Sequence, residues 1–253
     1  MCCLTTDDCS LFTDYEDVMP KAILFDMDGT LIDDSMNTFL PPYFDAITKK
    51  LAHLVPPEKF IAQLQASTRA MVASSDPART MADAFAADFF PKIGVPRETL
   101  MPLLEDFYAR EYPQLRAFVK PIPHARDLVA RAIQRGHPVV IATMPVFPRT
   151  ALVQRLEWGR IADFPYALVT DYETMHASKP NPAYYLEIAV IINCAPEDCV
   201  MVGNEVQNDI LPAKHAGMKT FWVTEAAEFP TDVPADWRGT LEDFGRLLER
   251  GEL

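Results

Sequence analysis

The segment Lys21-Ala-Ile-Leu-Phe-Asp-Met-Asp-Gly-Thr-Leu-Ile-Asp33 constrains this chain more than any other stretch. Ala22 to Phe25 is an unbroken apolar run of strand length, which suits a strand buried on both faces. Two carboxylates, Asp26 and Asp28, follow at its carboxyl end. Ionised carboxylates so close repel each other, and burial strengthens the repulsion. A cation, a shared proton or hydrogen bonds must offset it. A hard cation with oxygen ligands is the simplest answer, since Mg²⁺ takes one or two carboxylates plus water and phosphate oxygens. Gly29 lets the backbone turn close to a ligand, and Thr30 adds a hydroxyl and a further N–H. The stretch reads as a site for an anion held against a metal. A calcium loop is excluded: counting from Asp26, position 6 is Leu31 and position 12 is Asn37, where an EF-hand has Gly and Glu.

Beyond Asp33 the periodicity changes. Residues 36–54, 57–73, 78–92 and 97–112 carry apolar side chains at helical spacing, punctuated by Pro56-Pro57, Asp76-Pro77 and Gly94-Val95-Pro96. Asp76 is the expected N-cap of the third helix, with Pro77 at its first position. These segments predict an all-helical insert over residues 35–119, which returns through Val119-Lys120-Pro121-Ile122-Pro123. Strand and helix patterns then alternate. Strands are expected at 138–142, 166–170, 199–202 and 219–223, and helices at 124–135, 148–158, 182–192, 208–216 and 240–250. Asn181 caps the helix that starts at Pro182. This alternation implies an α/β fold with a doubly wound parallel sheet, carrying a helical cap. Residues 19–34 and 120–253 form its expected core. Residues 1–18 lack the basic start and apolar region of a signal peptide and read as a tail.

A formal net charge of −13 argues against nucleic acid and anionic membranes as partners. It also requires local positive charge wherever an anion binds. No apolar run approaches the ~18 residues of a membrane span. Cys2, Cys3, Cys9, Cys194 and Cys199 form neither a disulfide framework nor zinc-type pairs, and they read as reduced thiols in a cytoplasmic protein.

In a doubly wound sheet, ligands bind beyond the carboxyl ends of the strands. Asp26 and Asp28 follow the first strand, Thr143 the second, and Asn204, Glu205 and Asp209 the fourth. Lys179, in Ser178-Lys-Pro-Asn-Pro182, precedes a helix that can point into the same space. Arg149 follows Thr143 and is equally suited to reach an anion or to pair with an acid. Arg69 and Arg79 read as exposed helix cations, and Trp158, Tyr184 and Tyr185 as core. His53, His124, His137, His176 and His215 show no ligand spacing.

Asp26-Met27-Asp28-Gly29-Thr30 after an apolar strand resembles the first motif of the haloacid-dehalogenase-like superfamily, most of whose members are phosphatases. The resemblance implies a nucleophilic Asp26 that forms an aspartyl-phosphate and an Asp28 that acts as general acid and base. Thr143 resembles the second motif, whose hydroxyl binds a phosphoryl oxygen, and Lys179 the third, whose cation offsets the charge. Gly29, Thr30, Thr143, Met144 and Lys179 are then the substrate-side residues. Asp26, Asp28, Asn204, Glu205 and Asp209 are the candidates around Mg²⁺, with Asp209 suited to hold a metal-bound water. Two positions depart from the family pattern: Asn204 stands where an acid is usual, and Met144 where Asn often follows the Thr. Glu205 is a candidate replacement for the missing acid.

The expected function is Mg²⁺-dependent hydrolysis of a small phosphorylated substrate by a monomer or homodimer. A dehalogenase of the superfamily needs neither an acid at position 28 nor a metal. A phosphomutase or a phosphonate hydrolase would share the core, the latter with a cap lysine such as Lys49 or Lys50. A non-catalytic binding protein that kept the fold is the rival from a different class.

Overall fold

The computed structural model describes residues 21–33, 36–74, 76–225 and 233–253. The expected tail at 1–18, with Cys2, Cys3 and Cys9, lies outside them. β1 (Ala22–Phe25) sits inside a six-stranded sheet with β4 (Val139–Ile141), β5 (Leu168–Val169), β6 (Cys199–Gly203), β7 (Lys219–Val223) and β8 (Trp237–Gly239). The order is β5-β4-β1-β6-β7-β8, and every pairing is parallel. β1 is therefore flanked by β4 and β6, at the point where the strand order reverses and ligands bind in such sheets.

Because side chains alternate along a strand, β1 feeds two layers. Ile23 and Phe25 pack with Val139, Ile141 and the helices α5 (Ala125–Gln134), α6 (Arg149–Trp158) and α9 (Leu241–Arg250). Ala22 and Leu24 pack on the other face with Tyr184, Tyr185 and Ile188 of α7 (Pro182–Ile191). The continuous apolar run is explained: both faces of the strand are interior.

Between β2 (Ile32–Asp33) and β3 (Lys120–Pro121) lie α1 (Met36–Leu51), α2 (Pro57–Val72), α3 (Met81–Ile93), α4 (Arg97–Arg110) and a 3₁₀ segment, Tyr112–Phe118. The chain leaves the core along β2 and returns along β3, which pair antiparallel as Ile32↔Pro121 and Asp33↔Lys120. Two-residue strands have too little pattern to be read from sequence, and neither this ribbon nor β8 is expected from it. Gly94 takes φ +80 and ends α3, as the Gly-Val-Pro punctuation implies. Asp76 is not the cap of α3. It accepts from the Ala78 N–H in a turn, while Thr80 caps the helix by accepting from the Asp83 N–H at 3.1 Å. Asn181 does cap α7, accepting from the Ala183 N–H at 3.0 Å. Among the described residues no helix is long and apolar enough to cross a membrane.

The region expected as one helix over 208–216 begins instead as a π-turn, Val206–Ile210, and continues as α8 (Leu211–His215). Wide turns of this kind are uncommon and concentrate at functional sites. Here the turn holds Asp209 in the interior, 1% exposed.

Candidate active site

The floor of the site is a buried chain of charges. Lys179, 2% exposed, donates to Asp26 Oδ1 at 2.7 Å and to Asp209 Oδ1 at 2.6 Å. The other Asp209 oxygen accepts from the Glu205 N–H at 2.9 Å, so this carboxylate is held from two sides. Gly203 is required here: a Cβ at that position would lie 2.3 Å from the Asp209 carboxylate. Thr30 Oγ1 donates to the second Asp26 oxygen at 3.1 Å. Burial pushes the Asp26 carboxyl up to about 7; Lys179 pulls it down, and Asp209 and Asp28 add to the rise. Burial works against the Lys179 charge, but Asp209 and Asp26 outweigh it and hold the ammonium well above its ordinary range.

Asp28 lies two residues on and faces a different partner. Its Oδ1 accepts from Arg155 Nη2, in α6, a side chain that is fully buried. The guanidinium lies over the rings of Phe39 and Phe147, 5.1 and 5.5 Å from their centroids. Asp28 itself stays 22% exposed. Sequence reasoning missed Arg155, because it sits 127 residues from Asp28 in an otherwise ordinary helix.

Thr143 is buried just past β4. Its carbonyl accepts from Thr170 Oγ1 at 3.0 Å and from the Tyr184 hydroxyl at 2.7 Å, which fixes the loop that follows. Met144 is half-buried, and its carbonyl accepts from the Val146 N–H in a tight turn.

A family model described as haloacid dehalogenase-like hydrolase matches residues 20–217. The chain belongs to this family. Among curated relatives, an N-acetylmuramic acid 6-phosphate phosphatase of Pseudomonas aeruginosa is 29% identical over 227 residues, covering 86% of this chain and 87% of the relative. A phosphoglycolate phosphatase of Xylella fastidiosa is 26% identical over 237 residues, covering 92% and 93%. Among solved structures, a 2-haloacid dehalogenase of Pseudomonas syringae superposes with TM-score 0.63 at 18% identity, covering 92% of this chain and all of that one. A HAD phosphatase of Thermococcus onnurineus gives TM-score 0.56 at 20% identity, covering 90% and 97%. At these identities the two structures speak for the fold.

Within this hydrolase, the remaining sequence candidates separate. Arg149 donates to the buried Asp171 at 2.7 Å and, through its backbone N–H, to Glu173; the acid-pairing alternative is the one observed. Arg79 pairs with Asp76 on the surface, and Arg69 is exposed. Trp158 stacks on Tyr112, 5.3 Å between centroids, in the core. Lys49 and Lys50 face acids of the cap, Asp45 for the first and Asp106 and Glu111 for the second.

The candidate metal residues also diverge. Among the described residues no three acidic, His or Cys side chains gather as a metal cluster. Glu205 is exposed and accepts from Asn208. Asn204 Oδ1, by contrast, lies 3.3 Å from the Thr30 hydroxyl that also bonds Asp26. One carboxylate oxygen and one amide oxygen thus converge on a single point. Gly29, at φ +79, permits this approach, since a Cβ there would lie 2.5 Å from the Asn204 amide nitrogen. An oxygen-only donor pair fits Mg²⁺, which takes carboxylate and amide oxygens and fills its other positions with water.

Proposed function

We propose that this hydrolase is a Mg²⁺-dependent phosphomonoesterase, acting through an aspartyl-phosphate on a small phosphorylated substrate. Residues 19–34 and 120–253 form its catalytic core, and residues 35–119 close over the site as a cap. The observation that carries the reading is the second carboxylate. Asp28 lies at the same strand end as Asp26, held by Arg155. Expulsion of an alkoxide needs a proton donor there, and displacement of halide from carbon does not. The names of the relatives from Pseudomonas aeruginosa and Xylella fastidiosa support the same reaction class.

In this reading Asp26 attacks phosphorus with the oxygen that Thr30 now holds. Asp28 protonates the leaving oxygen and then takes a proton from the attacking water. Thr143 binds a phosphoryl oxygen. Lys179 neutralises charge on the nucleophile and the phosphoryl group, where most of the catalysis of such transfers resides. Asp26, Asn204 and the Asp28 carbonyl would hold Mg²⁺, which supplies charge stabilisation at the phosphoryl oxygens. Asp209 acts as the anchor of Lys179.

A second reading has one observation in its favour. Asn204 leaves the site a negative charge short, which suits displacement at carbon without a metal. One comparison separates the two: release of phosphate from p-nitrophenyl phosphate with and without Mg²⁺, beside halide release from a 2-haloacid. Phosphate release that needs Mg²⁺ and falls by about 10²–10⁴ in Asp28→Asn supports the phosphatase. Halide release that is indifferent to Asp28→Asn overturns it.

A further inference from the structure

A cavity of about 460 Å³ lies between the cap helices and the core loops that follow β4 and β5. Its wall is mostly apolar and rich in rings: Phe60, Phe85, Phe89 and Phe90 come from α2 and α3. Its polar groups are fewer, and several have partners: Gln154 Nε2 donates to the Tyr108 carbonyl at 2.8 Å, and Glu173 accepts from the Arg149 N–H. The hydroxyls of Tyr43 and Tyr108 bond each other at 3.0 Å, and the Arg97 guanidinium lies over the Phe90 ring, 5.3 Å from its centroid. The cavity also reaches the catalytic loop. Val146 lines it only three residues beyond Thr143, a span of at most about 11 Å of chain. Tyr172 lines it two residues beyond Thr170, whose hydroxyl donates to the Thr143 carbonyl.

We infer that this cavity receives the leaving group of the substrate, and that the leaving group is an apolar chain or ring rather than a sugar or a short acid. The inference rests on the phosphatase reading of the site. Three considerations support it. A mostly apolar wall offers few of the hydrogen bonds that a sugar or a carboxylate loses on leaving water. The volume falls within the range of small-molecule pockets. A dry apolar cavity of roughly 150 Å³ already takes up a benzene ring, so this one has room for a larger group.

The test is a series of methyl, butyl and octyl phosphate, with phosphoglycolate as a polar comparator, all assayed with Mg²⁺. Each buried methylene should raise kcat/KM about fourfold until the cavity is full. Two variants keep the result independent of folding accidents. Ala86→Phe fills the space and should remove the gain for octyl phosphate while leaving methyl phosphate turnover within about twofold. Met101→Ala widens it and should move the optimum to longer chains. Turnover of methyl phosphate with no gain along the series overturns the cavity assignment and leaves the phosphatase reading standing. Turnover of none of the esters overturns the phosphatase reading instead. Calorimetry with octylphosphonate and methylphosphonate then decides the cavity: tighter octyl binding that Ala86→Phe abolishes supports it, and equal or absent binding overturns it.

Discussion

The Asp26–Lys179–Asp209 floor of the candidate site and the interior of the helical insert are both buried, but they are stabilised in opposite ways. The floor places Asp26, Lys179 and Asp209 in line, with ammonium-to-carboxylate distances of 2.7 and 2.6 Å. Each charge there is tolerable only because an opposite charge lies beside it, and Lys179 serves both carboxylates, so losing the lysine would leave two buried charges uncompensated. The cap buries aromatic rings against one another, such as Phe85 on Phe89 at 4.9 Å and Phe60 on Phe89 at 6.0 Å. Dispersion and area are shared among many contacts, and volume-conserving changes are tolerated. The floor is specific because few side chains can satisfy it. The cap is adjustable because many can.

Substitutions at five positions would break or sharpen this contrast. Asp26→Asn should reduce turnover by at least about 10³-fold, as expected for loss of a nucleophile. Lys179 keeps Asp209 as a partner in that variant, so the melting temperature should move little. Steady-state kinetics beside a thermal melt measure both, and retention of more than a few per cent of activity removes Asp26 from the role.

Phe89→Ala should do the reverse. It opens a cavity in the cap at a cost of about 3–5 kcal/mol, or roughly 10²–10⁴ in the folding equilibrium. Turnover of a small ester by the folded fraction should stay within about threefold. Denaturant unfolding with parallel kinetics checks it, and a stable but inactive protein would join Phe89 to the chemistry.

Arg155 tests the border between the regions, being a buried charge that lies against aromatic rings. Arg155→Met keeps the bulk and removes the donor to Asp28. We expect kcat to fall by about 10²-fold with KM changed less than about threefold, the signature of a misplaced proton donor. Arg155→Lys should not restore it, because a lysine lacks the planar fork that reaches Asp28 while lying against the rings. A loss of stability with kcat unchanged would make Arg155 a packing residue only.

The smallest effect concerns Asn204. Asn204→Asp adds a charge beside Asp26 and should lower the Mg²⁺ concentration for half-maximal turnover by about tenfold. Glu205→Gln should leave it unchanged, since Glu205 faces Asn208 at the surface. A Mg²⁺ titration of the three proteins measures both. A larger effect from Glu205→Gln would show that this loop rearranges when metal binds.

How much of this was legible beforehand follows the range of the interactions. The Asp26-Met-Asp28-Gly-Thr30 motif, the four cap helices and the parallel sheet all come from local patterns, each readable within some fifteen residues. The same reading placed Asp26 and Thr143 at strand ends and capped α7 with Asn181. It assigned the α3 cap to Asp76 because an Asp-Pro pair is a strong local signal. The helix starts four residues later, where Thr80 can bond Asp83 and the Met81 N–H can reach the Met175 carbonyl of the core.

The sequence by itself determined that this chain builds a parallel sheet with acids at its central strand end, because strand periodicity and the Asp-x-Asp-Gly turn are written in consecutive residues. Only the tertiary structure decided which partners those acids meet. Lys179 lies 153 residues from Asp26, Arg155 lies 127 from Asp28, and Asn204 lies 174 from Thr30. No local pattern encodes such pairs. They exist because the sheet order sets β4 and β6 on either side of β1, and because a π-turn holds Asp209 in the interior.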